Sequence, residues 1–387
     1  MSNHYHYIIT GAGCAGSSLL MRMMADPFFS DKKILVIDQS PKTANDRTWC
    51  FWEKEPDIFE PIVQYRWQRL NFFSNSYSAR LDIAPYQYKM IRGIDLYDHV
   101  RKETANHPNI EWLYEKVNAV KADKDIAIVE TATQTITCDY LFNSILFNKP
   151  KTPTSGGRGA IYSLLQHFKG WVIETGKPCF DASTATFMDF RVGQERGTSF
   201  VYLMPLTPTT ALVEYTLFTE TVLPQEAYET ELRRYIGEQL LINDYQIVHE
   251  EFGVIPMTNQ HFPQQEGNII YLGIAGGQVK GSSGYAFRFI QKKTAAIVAA
   301  LKQTGKPFVQ KPVSAVKFHF YDSVLLQVLQ KRKMDGAEVF RQIFQKNPPE
   351  RVLRFLDNET GLADDLRIMY SVPMPVFLPA ALRQLFS

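Results

Sequence analysis

Two features of the chain have residue types and spacings that could do chemistry: a run of small residues near its start and a lone carboxyl inside an apolar segment. Gly11, Ala12, Gly13 and Gly16 belong to the run G-A-G-C-A-G. This G-x-G-x-x-G spacing lets a strand turn tightly into a helix, brings backbone amides to a pyrophosphate, and allows the helix to lie close on the strand. Asp38 ends the next apolar run, where a carboxylate takes both hydroxyls of an adenosine ribose. That favours FAD or NAD over a 2′-phosphorylated dinucleotide. A second glycine cluster, Gly273, Gly276 and Gly277, comes late in the chain. It is either an ordinary strand-to-helix loop or a return to the same cofactor, and a return speaks for FAD, since a simple NAD dehydrogenase has less need of one.

Glu214 interrupts the apolar run ALVEYTLF. A carboxyl facing an apolar cavity is driven toward its protonated form by desolvation and can act as an acid. The other reading, a glutamate on the solvent face of an alternating strand, is the one that period-2 patterning alone favours. In NDRTWCFW, residues 45 to 52, Arg47 stands beside Trp49, Phe51 and Trp52, aromatics that without further context read as core. His4 and His6 share a strand face but lack a third ligand in view, which points to surface rather than metal. The basic run at 331 to 333 is either a solvated helix face or, near an apolar tail, an attractor of anionic lipid.

These residues need positioning elements. Tyr5 to Thr10 reads as a strand, SSLLMRMMADP as a helix with an apolar face, and KILVID, residues 33 to 38, as a second buried strand. Together they form one βαβ unit. Alternating runs from Gln64 to Asp82 and from Thr184 to Phe218 predict an antiparallel sheet inserted into the nucleotide-binding fold. NIIYLGIAGG predicts a late strand and turn, AFRFIQKKTAAIVAALKQ a helix, and the chain after about Gly305 further helices. A length of 387 residues exceeds one ordinary core. The expected division is a discontinuous nucleotide-binding domain (1–75, 95–160 and 265–305), a substrate-binding sheet domain (76–94 and 161–264) and a C-terminal helical region (306–387).

Composition narrows the function. A net charge of +2 gives no global attraction to nucleic acid, whereas an aromatic content of 13% points to extended apolar pockets, a surface that meets lipid, or a large aromatic core. Cys14, Cys50, Cys138 and Cys179 are scattered, without zinc-site spacing, as in a reducing cytoplasm. No signal sequence and no window of roughly 18 apolar residues is visible, so membrane contact is expected to be peripheral.

Taken together, these segments resemble the FAD-dependent lycopene cyclase family of bacteria and plants. YIITGAGCAGSSL resembles its dinucleotide fingerprint and NDRTWCFW its signature after the second strand. LLQHFKGWVIET, FMDFRVGQ, FVYLMPL, LVEYTLF, EFGVIPMT, GGQVKGSSGYAF and FYDSVLLQVL resemble later family blocks in the same order. The resemblance implies an α/β fold of the hydroxybenzoate hydroxylase type: a parallel sheet holding FAD, an inserted antiparallel sheet roofing a substrate cavity, and C-terminal helices. It implies ring closure of a ψ-end of lycopene or a related acyclic carotenoid, to β-rings, without net redox change. FAD would be reduced, with NADPH as donor, and no protein partner would be required. It also implies that Glu214 is the acid/base group, that Arg47 is on the cofactor, and that Trp49, Phe51, Trp52, Tyr215 and Tyr285 line the substrate. The late GIAGG lacks the Gly-Asp pair of flavin monooxygenases, in agreement with the cyclases. YLFNSIL departs from the family: Asn143, Ser144 and Ile145 stand where many members have an Asp and an Arg after the Phe. So oily a substrate calls for a tunnel opening toward a bilayer, and the C-terminal region, with Met369, Phe377, Leu382 and Phe386, is the expected docking surface of a peripheral, cytoplasmic enzyme. A flavin monooxygenase and a non-catalytic carotenoid-binding protein are the alternatives.

Overall fold

The computed structural model describes residues 4–147, 160–310 and 312–385. Its first sheet is built on strands that are apolar on both faces, the signature of parallel strands covered from both sides. Ile269–Tyr271, Thr135–Asn143, His4–Thr10, Ile34–Asp38 and Ile110–Tyr114 run parallel in that order. Short antiparallel pieces at 117–123, 126–131 and 265–266 extend the sheet. Ile8 and Ile9 are both fully buried because each lies under a different layer. The helix Cys14–Met24 follows the first strand and buries Leu19, Leu20 and Met23. It packs beside the late helix Phe287–Thr304, where the Gln291 amide donates to Ser18 Oγ at 2.8 Å.

The second sheet is covered on both faces, so its central strands are buried along nearly their whole length. Its order is Gln246–Thr258, Ser163–Glu174, Thr210–Thr219, Thr198–Pro205, Thr184–Asp189, Arg69–Ser74 and Tyr77–Asp82. The contact between Thr184–Asp189 and Arg69–Ser74 is parallel, and the other pairings are antiparallel. One face packs on the helix Gln225–Arg234 through Trp171, Val213, Tyr215, Leu217, Tyr228 and Leu232. The other joins a large aromatic core that the C-terminal helices close, with Phe344 stacked on Phe72 at 4.7 Å and Phe340 on Phe190 at 5.8 Å.

A small sheet lies between the two large ones, with Gln87–Arg92 pairing both Thr48–Glu53 and Tyr65–Trp67. The Thr48–Glu53 strand is two-faced. Phe51 points toward the nucleotide-binding side and stacks on Phe287 at 4.0 Å, while Trp52 points into the aromatic core. Glu53 at its end accepts from Lys89 Nζ at 3.0 Å and from Arg288 Nη1 at 3.1 Å. Lys89 also reaches Glu60 Oε2 at 2.5 Å. A buried lysine is tolerable only because both of these carboxylates face it.

Candidate active site

The first glycine turn has the shape its spacing predicts. Gly11 has φ +87°, open to glycine at little cost, and a Cβ on Gly16 would lie 2.1 Å from the Gly11 carbonyl oxygen, so the helix approaches the strand as only glycine permits. A Cβ on Gly13 would meet nothing within 4 Å, which leaves the start of the Cys14–Met24 helix open on the side a pyrophosphate would approach. The first turn of that helix carries no acidic side chain to repel an anion. Asp38 Oδ2 accepts the Ala12 N–H at 2.7 Å, and Lys42 Nζ stands 3.8 Å from Oδ1. The recess beside them is lined by Ala12, Asp38, Lys42, Tyr97 and Trp112, a set suited to an adenosine.

The late glycine cluster comes to the same place. Gly273 and Gly277 have φ of +58° and +67°, and a Cβ on Gly273 would be 3.1 Å from Ala15 Cβ, so this turn sits against the first turn of the Cys14–Met24 helix. Gly276 is squeezed against the Tyr271 carbonyl, 2.2 Å from where its Cβ would be. Arg47 is exposed, 3.4 Å from Asp46, and its charge opposes the burial that pushes the Cys14 thiol up to about 12. The family departure at 143–145 forms a neutral clasp: Thr10 Oγ1 donates to Asn143 Oδ1 at 2.7 Å, Asn143 Nδ2 to the Ile145 carbonyl at 2.9 Å, and Ser144 Oγ to the Thr10 carbonyl at 2.9 Å. These hydrogen bonds tie the two central strands together. These residues fit a dinucleotide.

Across the Thr48–Glu53 strand lies an aromatic chamber. Trp52 meets Tyr285 edge-on at 4.8 Å and Phe187 at 5.9 Å, and the Tyr202 and Tyr285 hydroxyls are 3.0 Å apart. Glu214 belongs to this chamber and not to solvent, with 8% of its surface exposed. Register explains its neighbours: Tyr202 pairs with Glu214, Glu214 with Gly170, and Gly170 with Glu251, so the four make one row across the sheet on one face. A Cβ on Gly170 would be 3.0 Å from Glu251 Cγ and 3.2 Å from its Oε1. The missing side chain gives two carboxyls on non-adjacent strands room to meet. Thr216 Oγ1 donates to Glu214 Oε1 at 3.0 Å, and Thr48 Oγ1 to Glu251 Oε2 at 2.8 Å.

Burial pushes the Glu214 carboxyl well above the usual range, and the like charge of Glu251 adds to it. Burial also raises Glu251, but the Thr48 hydroxyl, the hydrogen bond with Glu214 and the charge of His249 all work against that. Glu214 is therefore the member that keeps the proton, and Glu251 the member that gives it up first. Glu251 Oε1 is buried without a donor among the neutral and basic groups around it. A proton on Glu214 supplies that donor.

The structure sorts the remaining sequence candidates by face. Trp52 and Tyr285 share the chamber with Glu214, whereas Trp49 lies edge-on to Tyr97 at 6.1 Å on the nucleotide side, with Phe51. Tyr215 follows Glu214 in the strand and so points through the opposite face, its ring 6.4 Å from that of Tyr228. Sequence reasoning singled out none of Glu251, Tyr202, Cys50 or Gly170. Glu251 was within reach, since it opens the segment EFGVIPMT, but nothing local marks it as facing Glu214.

Comparisons with known proteins identify the family and the fold. The chain matches the lycopene cyclase protein family over residues 7–383. It is 24% identical to the lycopene beta-cyclase of Paracoccus sp. strain N81106, over 97% of this chain and 96% of that one. It is likewise 24% identical to the lycopene beta-cyclase of Pantoea ananas, over 100% of this chain and 99% of that one. Among solved structures, a flavoprotein/dehydrogenase from Cytophaga hutchinsonii superposes with a TM-score of 0.62 at 10% identity, covering 99% of both chains. The fold is the mixed α/β one of hydroxybenzoate hydroxylase-type flavoproteins. With a match that runs from the first strand to the last helix and takes in both glycine turns and the Glu214 strand, the chain belongs to the lycopene cyclase family.

Proposed function

We propose that the protein is a lycopene β-cyclase that closes an acyclic ψ-end of lycopene to a β-ring without net redox change, with FAD bound in its reduced form and NADPH as the electron donor. The observation that carries this reading is a carboxyl, Glu214, buried beside an aromatic cluster that adjoins the dinucleotide site, where burial pushes it toward its protonated form. Glu214 protonates the terminal trisubstituted alkene to give a tertiary cation, the neighbouring double bond attacks it, and loss of a ring proton fixes the product. Trp52, Phe187, Tyr202 and Tyr285 exclude water from the cation, and each ring face turned toward it contributes about 1–2 kcal/mol. Gly11, Gly13, Gly16, Asp38, Arg47 and the 273–277 turn hold FAD, which when reduced and bound supplies an electron-rich ring system to the same end. The β-ring assignment rests on the two curated relatives, both lycopene beta-cyclases.

The test is anaerobic incubation of flavin-loaded, dithionite-reduced protein with lycopene in liposomes, followed by chromatography and mass spectrometry. A product of unchanged mass carrying β-rings is expected. Consumption of NADPH and oxygen in proportion to product would instead identify a monooxygenase, and unaltered lycopene would overturn the reading.

Lycopene reaches the chamber from a lipid surface in this reading. None of the described helices is long and apolar enough to cross a membrane. Instead, Leu362, Leu366 and Tyr370 form an exposed stripe at four-residue spacing on one C-terminal helix, and Met374, Leu378 and Leu382 form another on the next. Of the residues expected to dock, Leu382 is exposed, Met369 is half-buried, Phe377 packs toward the core and Phe386 lies outside the described residues. The double change Leu366→Asp and Leu382→Asp is expected to lower liposome binding about tenfold while leaving FAD content unchanged. Undiminished sedimentation with liposomes would remove these helices from the docking surface. Reversing the charges at 331–333 is expected to weaken binding to anionic vesicles only.

A further inference from the structure

We propose that Glu251 is a positioning residue for ring closure, its carboxylate sharing one proton with Glu214 across the gap left by Gly170; this rests on the cyclase reading above. The geometry is a row of three paired strands. Glu214 and Glu251 stand on either side of Gly170 on the same face, each with one oxygen held by a threonine, Thr216 and Thr48. Among the described residues Glu251 Oε1 has no other donor, and a Cβ at Gly170 would press on Glu251, 3.0 Å from its Cγ and 3.2 Å from its Oε1. Two carboxylates this close, out of water, hold one proton between them.

The pair makes a closed cycle. The Glu214 proton goes to the terminal alkene carbon, the ring carbon–carbon bond forms from the neighbouring alkene, and the ring proton lost at the end returns to the Glu214 carboxylate. No water, oxidant or reductant is consumed, as an isomerisation requires. While the cation exists both acids are ionised and face it; no hydrogen bond is left between them, the Thr216 and Thr48 hydroxyls hold one oxygen of each, and the like charge of Glu251 drives the returning proton onto Glu214. The other titratable groups facing Glu214 are Cys50, Tyr202 and Tyr285, which burial keeps neutral, and His249 lies toward Glu251.

The test is the pH profile of lycopene cyclisation by flavin-loaded Glu251→Gln. The active form carries a proton on Glu214, so activity is present below the pKa of that proton and is lost as pH rises through it. Replacing Glu251 removes a like charge and puts an amide donor beside Glu214, so its proton leaves at lower pH. The alkaline limb should move down by more than about one pH unit, with activity recovered on acidification. Glu251→Asp, with a shorter reach, should move it in the same direction by less. Infrared difference spectra taken across the pH range should show a protonated carboxyl band in the wild type that is absent from Glu214→Gln and that disappears at lower pH in Glu251→Gln than in the wild type. Loss of activity by one factor at every pH, or a carboxyl band unaffected by Glu251→Gln, would overturn the proposal and leave a merely structural Glu251. Should Glu251→Gln not retain FAD, the Glu251→Asp profile decides, an unshifted limb overturning the proposal. Wild-type protein that forms no cyclic product would instead count against the cyclase reading itself.

Discussion

Glu214→Gln is expected to retain FAD and fold normally while losing roughly 10²–10⁴-fold in lycopene turnover, the range that a positioned general acid contributes. The amide has the same shape as the acid, can still accept from the Thr216 hydroxyl, and can donate to the orphaned Glu251 oxygen, so the sheet around it has no reason to open. It has no proton acidic enough to give to an alkene. Turnover per bound flavin under reducing, anaerobic conditions is the measurement. A variant keeping more than a tenth of wild-type turnover would mean that the proton comes from another group.

The other large effect is expected at Gly16. A methyl group there would lie 2.1 Å from a backbone carbonyl, which cannot swing aside as a side-chain tip can, so the Cys14–Met24 helix must lift from its strand. Gly16→Ala should therefore cost about 3 kcal/mol, which would appear as a lower melting temperature and as FAD affinity reduced roughly 100-fold. Gly176→Ala, where the added methyl meets open space, is the matched control. Equal flavin titration curves for the two variants would refute the close-approach argument.

The contrast between these sites shows how far the sequence could be read. The strand–glycine–helix–strand unit is local: its turn chemistry and apolar periods lie within the first 38 residues, and the expected strand ends agree with His4–Thr10 and Ile34–Asp38 to within a residue or two. The return of Gly273 to Ala15 rests on a motif that could be seen in the sequence, although the contact itself could not. Glu214 needed the family resemblance, because a glutamate in an alternating strand reads as solvent-facing until both faces of the sheet are known to be covered. Tyr215 and Phe51 show the opposite limit. Alternation sends neighbours to opposite faces, so the residues adjoining Glu214 and Trp52 were the poorest candidates for sharing their chamber. Glu251 was invisible for a different reason: its meeting with Glu214 depends on strand register across a third strand, a non-local fact that no window of sequence contains.

The two-faced Thr48–Glu53 strand has a consequence for how the molecule comes apart. Its side chains enter two cores alternately, and Glu53 at its end bonds to Arg288, at the head of the helix that follows the late glycine turn. Neither half can melt without stripping one side of a wall the other still needs. The two large sheets should therefore unfold in a single cooperative transition, as one thermodynamic body. FAD, binding on one side only, should then delay the loss of packing around Trp67 and Trp171 on the other. Two resolved calorimetric peaks, only one of them moved by flavin, would show that the wall does not bind the halves together.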